Sequence, residues 1–163
     1  MRNTSLKIRL VRGMILLTLG FIWGNSLLDG KQSGEMSGLV VRVLYPAAER
    51  IAGLLTGTHP GEGPVLMQEQ FTFWVRKLAH FSEYTVLGAE TGIHQHLAGR
   101  RSDLSAAAFG PAAAAIDETI QRFSKGRSGE LQDVLIDSAG YFFGLLLAAG
   151  FLRLAGRRKA GHR

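Results

Sequence analysis

The sequence predicts an all-α fold: an integral membrane bundle of four transmembrane helices, with an amphipathic helical segment in the first outer loop. Three observations carry this expectation. The apolar residues fall in blocks near the roughly 20 helical residues that a hydrocarbon core of about 30 Å requires. Polar connections with turn residues separate the blocks, and Lys and Arg collect on one side when the blocks alternate in direction. The average composition decides nothing, because 46% apolar residues and a mean hydropathy of +0.10 would fit a soluble chain. Clustering carries the prediction. At 163 residues the chain is read as a single domain, 1–163.

The first span is about 13–28, "GMILLTLGFIWGNSLL", preceded by Arg2, Lys7, Arg9 and Arg12. A basic segment before an apolar run also describes a signal peptide, but no small-x-small cleavage site follows closely, so the segment reads as an uncleaved span. The remaining spans are about 77–97, 104–123 and 133–154, each about 28 to 33 Å long as a helix. Pro111 lies inside the third, where a kink is expected. In the fourth, Gly140 and Gly144 form a small-xxx-small pair that admits close approach of another helix. Residues 29 to 70 form the long outer connection. Met36, Leu39, Val40, Val43 and Leu44, then Ala47, Ile51, Leu54 and Leu55, recur at helical spacing on either side of Pro46. That periodicity predicts one or two amphipathic helices lying on the surface or capping the bundle. "TGTHPGEGPV" then turns the chain back.

The formal charge of +6 admits three readings: nucleic-acid binding, an anionic membrane, or a topogenic role in which Lys and Arg fix orientation. The N-terminal basic residues, Arg100 and Arg101, and Arg153, Arg157, Arg158, Lys159 and Arg163 all fall on one side of a four-helix arrangement. Only Glu90 and Asp103 accompany them there, so both termini are expected to be cytoplasmic, in a cytoplasmic (inner) membrane. The partner expected is a lipid bilayer and no nucleic acid. The chain has no Cys, which excludes disulfides, thiolate metal sites and a cysteine nucleophile.

Several ionisable residues sit inside the spans. If the outer boundary lies near Arg76 and Lys77, those two can snorkel to headgroups, while His80 and Glu83 lie about 5 and 10 Å deeper on one helical face. Asp117, Glu118 and Gln121 close the third span, and Asp133 and Asp137 open the fourth, at a similar depth. A charge at mid-membrane costs about 2.5 to 3.5 kcal/mol on insertion scales, so such groups pair, face the bundle or line a cavity. Two readings stay open: structural pairing, such as Arg76 or Arg127 with Asp117 or Asp137, and a functional polar pocket whose crowded acids serve acid/base chemistry. On the second, His80, Glu83, Asp117, Glu118 and Asp137 are the catalytic candidates, and Arg76, Lys77, Gln121, Arg127 and Asp133 the ligand-binding ones. His80, Glu83 and Glu118 offer donors to a divalent ion, but no HExxH or multi-histidine spacing is present, so no metal site is assigned. Any cofactor is left unknown. A Ser/His/Asp set from Ser82 or Ser128 with His80 and Asp137 lacks a nucleophile elbow. His94 and His96 read as interfacial, and Glu90 as an inward extension of the Glu83 stripe or a buried hydrogen bond.

"GNSLL", "RKLAHFSEY" and "DETIQRFSKGRSGELQDVLIDSAGYFFG", in this order, resemble the VanZ-like membrane protein family, named for a teicoplanin-resistance protein. One departure is that Asn25-Ser26 and "LLDGKQSGEMS" stand where the family often has two serines and a Gln-Pro. The resemblance implies a multi-spanning bacterial cell-envelope protein, with some members linked to lower susceptibility to glycopeptide antibiotics. It implies no defined reaction. Three functions remain: binding or modifying a lipid-linked or cell-wall glycoconjugate at the outer leaflet; proton-coupled transport through Glu83 and Glu90; and a structural membrane partner without catalysis. Whether the chain is an enzyme, and its oligomeric state, are left open.

Overall fold

A computed structural model describes residues 2–57, 68–100, 104–127 and 129–160. These residues form five α-helices and no strand: α1 (Arg2–Leu27), α2 (Gly30–Thr56), α3 (Gln68–Leu97), α4 (Leu104–Phe123) and α5 (Leu131–Ala160). α4 has the bounds expected from sequence and runs through Pro111 without interruption. α1, α3 and α5 extend beyond the expected spans, because helix propensity continues into their polar flanks where apolar content does not.

Among the described residues, the connection expected to lie outside holds one helix before α3; this is α2, which passes through Pro46. Proline removes one backbone hydrogen bond and costs on the order of 3 kcal/mol; the rest of this 27-residue helix continues on both sides of it. Its ends are well defined. The Asp29 carboxylate accepts from the Gln32 N–H at 2.8 Å as N-cap, and Gly57 at φ 71° closes the other end by donating to the Gly53 carbonyl. The segment "TGTHPGEGPV" lies almost wholly outside the described residues.

α3 is the central element, packed against α1, α2, α4 and α5, and most extensively against α5. Glycine explains how closely those two meet. A Cβ at Gly140 or Gly144 of α5 would run into the Phe81 or Thr85 backbone, and one at Gly88 of α3 into the Tyr141 carbonyl. The Gly140/Gly144 pair therefore seats α5 directly on the α3 backbone. The Thr85 hydroxyl donates to the Gly140 carbonyl at 3.2 Å across the same contact. Beside it lies the apolar core of Leu19, Ile22, Tyr84, Leu87, Ala113, Ala114 and Tyr141. The Tyr141 hydroxyl reaches α4, donating to the Ala106 carbonyl at 2.5 Å.

Among the described residues one helix is long and apolar enough to cross a membrane, α5 over Leu131–Arg157. Glu83 and Glu90 in α3, and Asp117 and Glu118 in α4, lower the hydropathy of those helices. Beside the apolar core, several acids are buried while many large apolar side chains face outward. Leu16, Leu17 and Phe21 of α1, Leu104 and Ile116 of α4, and Leu146, Phe151 and Leu154 of α5 are exposed, while Glu90, Asp117, Glu118, Gln121 and Asp137 are buried.

Candidate functional site

One end of the bundle is tied together by the α4–α5 connection. Gly126, at φ 74°, makes the turn. The Gly30 N–H then donates to the Lys125 carbonyl at 2.9 Å. The Ser124 hydroxyl donates to the Ser26 carbonyl at 2.7 Å, and Arg127 Nη1 to the Asn25 carbonyl at 3.1 Å. These bonds hold the end of α1 and the start of α2 against the chain that joins α4 to α5. Beneath them lie the polar groups of three helices.

His80 of α3 stands between two aspartates. Its Nδ1 is 3.9 Å from Asp117 Oδ2 of α4 and 3.8 Å from Asp137 Oδ1 of α5. Both aspartates are 0% exposed. These separations exceed a hydrogen bond, and His80 Nδ1, Asp117 Oδ1 and both Asp137 oxygens are buried with no hydrogen-bond partner. Gln121 fixes the other Asp117 oxygen: its amide donates to Oδ2 at 3.1 Å and to the Ser26 hydroxyl at 3.3 Å. One ligand atom from each of His80, Asp117 and Asp137 can be chosen so that all lie within 4.8 Å of one another. The set His80, Glu83 and Glu118, weighed from sequence, is not the one that converges.

The remaining acids have distinct settings. Glu83 Oε1 accepts from the Asn25 amide at 3.5 Å. Glu118 Oε2 accepts from the Glu130 N–H at 2.8 Å, so it caps the approach to α5, while its Oε1 is buried without a partner. Asp133 pairs with Lys77, and both side chains are largely buried. The Lys77 ammonium also lies 4.8 Å from the centre of the Phe73 ring. Lys77, expected to reach outward to headgroups, is thus committed to an inter-helix ion pair. The pairing of Arg76 or Arg127 with Asp137 is not made, since neither Asp137 oxygen has a hydrogen-bond partner. Burial, and then Arg76, hold the Arg127 guanidinium below its ordinary pKa, against Asp117, Glu118 and Asp133. Ser82 is exposed and donates to the Leu78 carbonyl at 2.7 Å rather than to His80; Ser128 lies outside the described residues. The serine-hydrolase arrangement therefore has no geometric support among the described residues.

Two cavities open beside this cluster. The larger, about 390 Å³, has apolar walls from α2 and α3, including Met36, Val40, Leu44, Val75 and Leu78, and a polar end of Asn25, Arg76, His80, Glu83 and Arg127. The smaller, about 140 Å³, is lined by Phe73, Arg76, Lys77, His80, Gly126, Arg127, Glu130 and Asp133. His80, Arg76 and Arg127 border both. Farther along, Glu90 accepts from the Thr18 hydroxyl at 3.1 Å, and His94 Nε2 accepts from Arg12 Nε at 3.0 Å. His96 is exposed. Glu90 is separated from the cluster by the buried Leu87 layer.

From sequence, Asn25, Ser26 and Tyr84 fall within family-like stretches, but none of them, nor Ser124, is given a role in the site; the Asn25 amide and the Ser26 and Ser124 groups bond around it, and the Tyr84 hydroxyl is buried without a hydrogen-bond partner. The signal for the first two was the "NS" pair interrupting an apolar run; Ser124 carried none. Tyr84 carried no such signal.

The fold and site define a helical protein with many large apolar side chains exposed and a cluster of buried polar groups gathered at one end. The family model described as VanZ/LLP1 matches residues 13–153, and the chain belongs to that family. No curated protein and no solved structure matches the chain significantly.

Proposed function

We propose that this is a four-span protein of a bacterial cytoplasmic membrane that binds, at the outer leaflet, an anionic lipid-linked ligand of the glycoconjugate class. α1, α3, α4 and α5 are the spans, with both termini cytoplasmic. α2 lies along the outer surface with Leu39, Val43, Leu54 and Leu55, all exposed, in contact with lipid. The observation that carries the reading is the larger cavity: an apolar trough that ends in Arg76, Arg127, His80 and Glu83. An acyl or polyprenyl chain fits the trough, and a phosphate fits the guanidinium groups. Arg76 and Arg127 hold the headgroup. His80, Glu83, Glu118 and Asp137 supply hydrogen bonds or proton transfer if the ligand is modified. Lys77 and Asp133 keep α3 and α5 in register beneath it.

Native mass spectrometry of the detergent-purified protein tests the reading. An anionic lipid should remain bound to the wild type and be lost from Arg127→Gln. Retention of neutral lipid only, or equal retention in the variant, would overturn it. The link to glycopeptide (teicoplanin-type) susceptibility is a proposal by family likeness. It predicts that expressing the chain in a sensitive bacterium raises the inhibitory concentration and that His80→Ala abolishes the effect without loss of protein. The transport reading needs a path from Glu83 to Glu90, and the packed Leu87 layer speaks against one.

A further inference from the structure

We propose that His80, Asp117 and Asp137 form a binding site for one divalent transition-metal ion, of the zinc or manganese class, at the polar end of the cavities. The argument begins with the donors. Three helices each deliver one ligand group, and ligand atoms mutually within 4.8 Å place a central ion at most about 2.8 Å from each, so small rotamer shifts reach the ~2.0–2.2 Å of zinc–nitrogen and zinc–oxygen bonds. One imidazole with two carboxylates is a mixed set that suits zinc or manganese better than an all-oxygen calcium site.

Burial supplies the second observation. Asp117 and Asp137 are both 0% exposed, yet Asp117 Oδ1 and both Asp137 oxygens have no hydrogen-bond partner. Two buried carboxylates need a compensating charge. The neighbouring cations make their direct contacts elsewhere: Lys77 pairs with Asp133, and Arg127, which acts on Asp117 only at longer range, donates from Nη1 to the Asn25 carbonyl. A dication matches the two negative charges. The Gln121 amide donates to Asp117 Oδ2, the oxygen 3.9 Å from His80 Nδ1, and so orients the carboxylate, as the outer partners of metal ligands commonly do. Of the three ligands His80 borders both cavities, so the site lies beside the space proposed above for a phosphate.

The metal binds without any lipid, so its test is independent of the function proposed above. Chelator-stripped protein in detergent, dialysed against Zn2+, should take up about one ion per chain. His80→Gln, Asp117→Asn and Asp137→Asn should each weaken binding by more than about 100-fold, while His94→Gln leaves it unchanged. Circular dichroism and gel filtration show that each variant is folded. Should an aspartate variant not fold, the wild type loaded with Mn2+ gives a second reading by pulsed electron paramagnetic resonance: coupling to one imidazole nitrogen, lost in His80→Gln. Wild-type protein that binds no Zn2+, folded variants that bind it as the wild type does, or Mn2+ with no nitrogen coupling would each overturn the proposal.

Discussion

Asp133 and Lys77 show how one residue pair separates structure from function in a crowded polar cluster. Each side chain is mostly buried, and the pair joins α3 to α5. Removing one partner leaves the other charge buried alone, which costs several kcal/mol, whereas replacing both with apolar groups is often close to neutral. Lys77→Met and Asp133→Leu should each destabilise the protein by about 2 to 4 kcal/mol, and the double variant by clearly less than their sum. Unfolding in mixed micelles measures this, and additive losses would show the pair to be uncoupled. Glu118 gives a complementary case. Glu118→Gln retains an oxygen for the Glu130 N–H, so it should fold like the wild type. Glu118→Leu abandons that donor and should lose about 1 to 3 kcal/mol in the same assay.

At the scale of elements, the α3–α5 contact decides whether the site exists, since it sets His80 against Asp137. Gly144 meets the Thr85 backbone and Gly140 the Phe81 backbone, but Gly150 and Gly156 of the same helix face open space. Gly144→Val should therefore force the helices apart and abolish a monodisperse gel-filtration peak, while Gly150→Ala should leave it intact. Overpacking alone costs about 1 to 3 kcal/mol, and backbone offers no flexible end to yield, so the loss at Gly144 should be at least that large. A monodisperse Gly144→Val protein would refute this account of the interface. The sequence made the glycine pair legible because small-residue spacing is local, and it gave α4 its bounds for the same reason. It also gave the position of each polar residue along its helix, which follows from counting 1.5 Å per residue. Counting does not give the rotation of one helix against another. Whether Lys77 would turn to Asp133 or to headgroups, whether Arg127 would meet an aspartate or the Asn25 carbonyl, and which two acids would flank His80 all depend on that rotation. The cavity between α2 and α3 was illegible for a further reason: Met36, Val40 and Leu44 read as one stripe of a surface helix, and only packing shows that they wall a trough.

For the whole molecule, the orientation proposed above can be tested directly, because the chain has no Cys. In the proposed orientation the start of α2 is outside, and the start of α1 and the end of α5 are inside. A cysteine at Lys31, exposed near the start of α2, should react with a membrane-impermeant maleimide on intact cells. Cysteines at Thr4 and Gly156, also exposed, should react only after permeabilisation. Reversed labelling would invert the molecule and put the polar cluster at the inner leaflet, away from extracellular envelope precursors. The same reagent separates a pocket from a path. Cysteines at positions 80 and 83 border the larger cavity and should label from outside, whereas those at 87 and 90 lie at or beyond the buried Leu87 layer and should not. Transport requires water to reach 87 and 90 in some state. Labelling at 90 from outside, with 87 reactive as well, would replace the one-sided pocket with a conducting route and give Glu90 a role beyond its bond to Thr18.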